Sequence, residues 1–102
     1  MSPAVSLRQM HYFVAVAEEL HCGRAAERLH ITQPPLSRHV AELEATLGLP
    51  LLTREPRQLR LTAAGEQALH EFRGVLAAAQ AALQRLRVRR EALPTLRLGL
   101  LN

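Results

Sequence analysis

Gln33-Pro34-Pro35-Leu36-Ser37-Arg38 is the stretch whose reading decides the fold. Consecutive prolines break a helix interior, because they lack the N–H and clash with the preceding turn. In a first turn the missing N–H costs nothing, since the earliest N–H groups of a helix have no intrahelical partner. Thr32 precedes them and is a residue type that caps such a start. A helix therefore opens at about Gln33 or Pro34. Leu36, Val40, Leu43 and Leu47 recur at helical steps, and Gly48 suits the C-cap. Gln33 and Ser37 are four apart and share a face, with Arg38 beside them, while Leu36, Val40 and Leu43 belong to the core face.

Upstream, His30-Ile31-Thr32 leaves room only for a tight turn. Arg24-Ala25-Ala26-Glu27-Arg28-Leu29 reads as a short helix whose Ala25, Ala26 and Leu29 face inward; alanines let another helix approach closely. His21-Cys22-Gly23 interrupts the pattern. Before it, Leu7, Met10, Phe13, Val14, Ala17 and Leu20 step by three and four, which predicts a helix over about Leu7 to Glu19.

Downstream, Leu51-Leu52-Thr53 and Leu59-Arg60-Leu61 flank the polar Arg54-Glu55-Pro56-Arg57-Gln58, which predicts a β-hairpin. Thr62 then caps a long helix beginning Ala63-Ala64-Gly65-Glu66. Leu69, Phe72, Leu76, Ala79, Leu83 and Leu86 form a heptad seam along it. Pro94 stops it near Ala92, and Leu96-Arg97-Leu98-Gly99-Leu100-Leu101 reads as a strand-like tail. The fold class is mainly α: a winged helix-turn-helix of three helices and a two-stranded wing over residues 1–61, then a long helix over 62–92. Such a helix extends about 40 Å, beyond the width of a small domain. Its outer part needs a partner, so a homodimer is expected.

The bulk composition suits one small domain. The chain has 102 residues, of which 48% are hydrophobic and 3% aromatic. A core of Leu, Val and Ala favours helices, and the length is short for a large enzyme cleft. All 13 basic residues are Arg, and the formal net charge is +4. Arg is the better bidentate donor to phosphate and guanine. A helix entered at its N-terminus also presents a positive dipole end to phosphate. Arg54 and Arg57, at the hairpin tip, are placed to reach a minor groove. Double-stranded DNA is the implied partner. One cysteine, Cys22, allows no internal disulfide. No basic start leads into an apolar run, and no stretch approaches a membrane span. A cytoplasmic protein without membrane association is expected.

The ordered series Leu7-Arg8-Gln9-Met10-His11-Tyr12-Phe13, Gly23-Arg24-Ala25-Ala26-Glu27-Arg28-Leu29, Thr32-Gln33-Pro34-Pro35-Leu36-Ser37-Arg38, Leu43-Glu44 with Leu47-Gly48, and Leu61-Thr62-Ala63-Ala64-Gly65 closely resembles the N-terminal domain of LysR-type transcriptional regulators. The resemblance implies transcriptional regulation by a homodimer on a pseudo-palindromic, AT-rich operator. It implies that Thr32, Gln33, Pro34, Pro35, Ser37 and Arg38 face the major groove or its phosphates. Arg57 matches a wing arginine that enters the minor groove in relatives, and Arg54 a commonly basic position nearby. The long helix matches a linker helix whose interface is Leu69, Phe72, Leu76, Ala79, Leu83 and Leu86. Residues 93–102 resemble a hinge and the start of an effector-binding domain, so the chain is expected to be a truncation or fragment. At full length a tetramer is implied, with a small-molecule inducer bound only in the missing C-terminal domain. No cofactor is implied for this chain. Two positions depart from the family's pattern: His21 stands where many relatives carry a capping Ser or Thr, and Cys22 where Phe is frequent.

Other chemistry has weaker support. His11, His21, His30, His39 and His70 are too widely spaced for a compact metal set, and no metal is expected. Cys22 reads as a small buried thiol rather than a redox sensor. Arg24 and Arg28 suit phosphate or a surface ion pair equally. Arg85, Arg87, Arg89 and Arg90 read as a solvated basic helix end. The chain has no Asp, which rules out a Ser-His-Asp set, and nothing positions a Ser-His-Glu set; no enzyme is expected. An alternative is a helical protein-interaction module without DNA specificity, in which the heptad helix recruits a different partner.

Overall fold

The computed structural model describes residues 5–56 and 58–92. Arg57, the start of the chain and the expected hinge with its strand-like tail therefore lie outside the described residues. The elements run α1 (Leu7–Glu19), α2 (Cys22–Leu29), α3 (Gln33–Leu47), β1 (Leu52–Glu55), β2 (Gln58–Leu61) and α4 (Ala63–Glu91). This is the expected order of three helices, a wing and a long helix.

Local chemistry sets each boundary. Ser6 and Gln9 form a reciprocal capping box at the start of α1. Leu20 ends that helix with a left-handed φ of 51°. His21 starts α2: its Nδ1 accepts the Arg24 N–H at 3.0 Å. That cap brings Cys22 and Gly23 into the helix, two residues ahead of the expected start at Arg24. Thr32 stands at the N-cap of α3 with extended backbone, but its side chain makes no capping hydrogen bond. Gly48 closes α3 at φ 69°.

The core is centred on α1. Phe13, Val14, Ala15, Val16 and Ala17 are all buried, and so is Gln9. One helical face would bury fewer neighbours in a row. α1 packs against α2, α3 and α4 together, so more than one of its faces is covered. The ends of the predicted faces behave differently. Leu7 is 50% exposed, Leu20 42% and Leu47 38%. Leu20 sits in the left-handed cap, off the helical face, and Leu47 lies in the last turn of α3.

β1 and β2 pair antiparallel from Leu52↔Leu61 to Glu55↔Gln58. The hairpin's base is fastened to both flanking helices. Glu44 on α3 accepts the N–H groups of Leu51 and Leu52 at 2.8 and 3.0 Å. Thr62 donates its hydroxyl to the Pro50 carbonyl at 2.7 Å and accepts the Gly65 N–H at 2.9 Å. A Cβ on Gly65 would overlap the Leu51 carbonyl oxygen. A glycine is therefore needed where α4 passes Leu51, just ahead of β1.

α4 has 29 residues, about 43 Å at the helical rise. The molecule's long dimension is 60 Å against 30 and 23 Å for the others, because α4 outruns the packed helices. Among the described residues no helix is long and apolar enough to cross a membrane.

Candidate nucleic-acid interface

The start of α3 presents several of its residues to solvent. Thr32, Gln33, Pro34 and Arg38 are exposed; Pro35 and Ser37 are half-buried. Leu36, Val40 and Leu43 on the other side are buried, so the helix is anchored while its first turns face outward. Tyr12 meets His39 edge-on, with ring centroids 5.2 Å apart, and ties α3 to α1. Because Pro34 and Pro35 carry no N–H, the opening turn offers only the Thr32 and Gln33 N–H groups to a phosphate. The expected helix-terminus contribution is correspondingly narrower.

A cleft of about 550 Å³ lies between the helix-turn-helix and the wing. Its walls include His21, Gly23 and Arg24 from the start of α2, Gln33 from α3, and Arg54, Glu55 and Gln58 from the hairpin. Of the predicted residues, the cleft thus brings Gln33 of α3 together with Arg54 of the wing; Thr32, Pro34, Pro35, Ser37 and Arg38 are not in its lining. Arg57, also predicted for this face, lies outside the described residues.

The arginines divide into two sets. Arg28 donates to Glu18 at 2.6 Å and to Glu19 at 3.3 Å. Arg73 on α4 donates Nε and Nη2 to Glu18 at 2.9 and 2.7 Å. Arg24 lies 3.6 Å from Glu19. Hydrogen bonds from Arg28 and then Arg73 hold the Glu18 carboxyl below its ordinary value, and the Glu18 bond raises Arg28. Arg24 and Arg28, which the sequence left balanced between phosphate and ion pairing, are drawn to α1 carboxylates. Arg38 and Arg54, in contrast, make no hydrogen bond or ion pair among the described residues and are exposed. Their charge is available to a ligand.

One structural role escaped the sequence and another was only partly legible in it. Glu44 is the fastening between α3 and the wing. The available signal was an acid beside core Leu43, ahead of strand N–H groups. His21 does the capping that a Ser or Thr would do, using a ring nitrogen in place of a hydroxyl. Cys22 is half-buried and packs against the core. Among the described residues no three metal-ligating side chains converge.

The seam of α4 divides as well. Leu69 and Phe72 pack against the core, and Phe72 meets Phe13 at 6.0 Å with perpendicular rings. Leu76 and Ala79 are half-buried. Leu83 and Leu86 are 52% and 61% exposed, and they line a shallow groove with Arg87 and Arg90.

Residues 7–66 match the family described as bacterial regulatory helix-turn-helix protein, lysR family. The chain is 56% identical over 72 residues to the uncharacterized HTH-type transcriptional regulator YnfL of Escherichia coli (strain K12), a match covering 71% of this chain and 24% of that protein. The chain thus spans about a quarter of the length of the curated relatives it matches. Among solved structures, the DNA-binding domain of CbnR in complex with DNA is 44% identical at a TM-score of 0.78, covering 83% of this chain and 98% of that one. The complex of the BenM DNA-binding domain with catB site 1 DNA is 35% identical at a TM-score of 0.81, covering 87% and 98%.

Proposed function

This chain belongs to the lysR family of bacterial regulatory helix-turn-helix proteins, and from that premise we propose that it binds double-stranded DNA sequence-specifically, as a homodimer, to regulate transcription. The carrying observation is the exposed start of α3, where Arg38 has no protein partner among the described residues and stands beside Gln33 and Ser37. Relatives of this fold have been solved on DNA, which supports the same use here.

In the proposed complex α3 enters the major groove from its N-terminus. Gln33, Ser37 and Arg38 contact base edges or phosphates, with Thr32, Pro34 and Pro35 at the backbone approach. An Arg fork suits the O6 and N7 acceptors of guanine. Arg54 follows the flanking backbone, and Arg57, carried from the family resemblance, enters the minor groove. The pair is made along α4 by Leu76, Ala79, Leu83 and Leu86, with Leu69 and Phe72 shared between this seam and the chain's own core. Residues 1–61 form the reader, 62–92 the linker helix, and 93–102 lead toward an effector domain. The whole protein is proposed to assemble as a tetramer and to take a small-molecule inducer in that domain. The site is proposed to be cytoplasmic, with no catalytic step.

Binding should weaken steeply with salt as Arg–phosphate contacts release counterions. Fluorescence anisotropy on a selected operator tests the reading. Arg38→Ala should lose specific binding while its thermal unfolding stays unchanged. Wild-type operator affinity in Arg38→Ala contradicts the role given to this residue. No DNA binding by the wild type at low salt, together with a stable complex with another protein, would favour the interaction module.

A further inference from the structure

Gly23 is the second residue of α2, and its backbone has no need of a glycine: among the described glycines only Gly48 has a positive φ. In a helix a glycine is less favourable than an alanine. What the structure uses at Gly23 is space. A Cβ built there would stand 2.9 Å from Cε1 and 3.2 Å from Nδ1 of His21, and 3.4 Å from Nε2 of Gln33. The imidazole is held in place by the Arg24 N–H on Nδ1. The amide of Gln33 reaches back from the opening of α3 and rests at the same bare spot, on the wall of the cleft. The Gln33 side chain is exposed, and the packing of its amide at Gly23 is a contact the structure gives it with α2.

We propose that Gly23 is a positioning residue for base recognition: with the His21 imidazole it seats the Gln33 amide, and so sets which base pair Gln33 accepts. The inference rests on the DNA-binding reading and deepens it. Gln33 begins α3 as an exposed, rotamer-rich side chain, which would lose much freedom on docking to a base. Restraint in the free protein lowers that loss and favours one arrangement of amide donors and acceptor. A methyl group at position 23 pushes the imidazole from its cap or into Gln33, and either shift disturbs the seat.

The test has two arms. In the free wild-type chain, NMR should show contacts between the Gln33 side-chain amide protons and the Gly23 α-protons. It should also show less fast motion of that amide than for exposed Gln67 and Gln80. Absence of the contact, or equal mobility, overturns the proposal without any variant. In the second arm, wild type, Gly23→Ala, Gln33→Ala and the double variant each select from a randomised duplex library. Gln33→Ala identifies the base pair concerned. Gly23→Ala should weaken preference at that pair by about fivefold or more, within the range of one good base contact. It should leave other positions intact and add nothing in the Gln33→Ala background. Unchanged preference, an equal change at all positions, or the same loss in both backgrounds overturns the seat. A wild-type chain that selects no sequence contradicts the DNA reading instead, while the NMR arm still judges the seat.

Discussion

The two halves of α4 carry one heptad pattern in two surroundings. The first half crosses the core: Gly65 lies against the Leu51 carbonyl, Ala68 is buried, Phe72 meets Phe13, and Arg73 reaches Glu18. The second half has left the core, and Leu83, Leu86 and Val88 are 52–61% exposed. The same spacing of Leu and Ala serves folding at one end and leaves an apolar stripe at the other. Heptad spacing reports a face, not its occupant; the occupant depends on how far the helix outruns the domain.

Substitutions that act on one half alone sharpen this contrast. Gly65→Ala should have the largest effect, destabilising the chain by about 3 kcal/mol as the new methyl forces α4 away from the Leu51 carbonyl; a urea midpoint close to wild type would contradict the close approach. Phe72→Ala should cost about 2 kcal/mol, since the ring is half-buried and loses the Phe13 contact. Leu83→Ala with Leu86→Ala should hardly move the unfolding of the monomer. It should instead weaken self-association on the order of tenfold, as read by sedimentation. A drop in monomer stability like that of Phe72→Ala would erase the distinction between the halves.

The smallest effect is the pH dependence of the α1–α4 tie. Arg28 and Arg73 lower the folded-state pKa of Glu18 below 4.5, so its contribution is present above the unfolded value and is lost as pH falls through the folded one. The advantage of wild type over Glu18→Gln should therefore be full near neutrality and shrink at acid pH below about 4.5. An advantage that grows on acidification has the wrong sign. Arg73→Ala should remove only part of it, because Arg28 remains.

Legibility followed the range of the interactions. The Thr32-Gln33-Pro34-Pro35 opening, the Gly48 stop and the proline-bearing hairpin are local devices, and their elements fall where local chemistry puts them. The exposed Gln33 and Arg38 were legible too, because Leu36, Val40 and Leu43 assign the opposite face. The continuous burial of Phe13 to Ala17 was not, since it depends on three helices meeting α1. Nor was the Glu44 fastening, which joins α3 to strand N–H groups through the fold. The His21 cap was partly legible, since the family's pattern puts a capping Ser or Thr at that position, but whether the ring Nδ1 meets the Arg24 N–H depends on how the imidazole is turned. The pairing of Arg28 with Glu18 and Glu19 needed the α1–α2 packing to be known.

In the proposed complex the inner half of α4 completes a reader and the outer half makes readers into a pair. Selection of bound duplexes from a random pool by this chain tests it most directly. Enrichment of a dyad-symmetric motif is expected, with half-sites about one helical turn or a multiple apart. The Leu83→Ala, Leu86→Ala chain should enrich the same half-site with weaker dyad spacing. A single unpaired half-site from the wild type, or no enrichment at all, would contradict it.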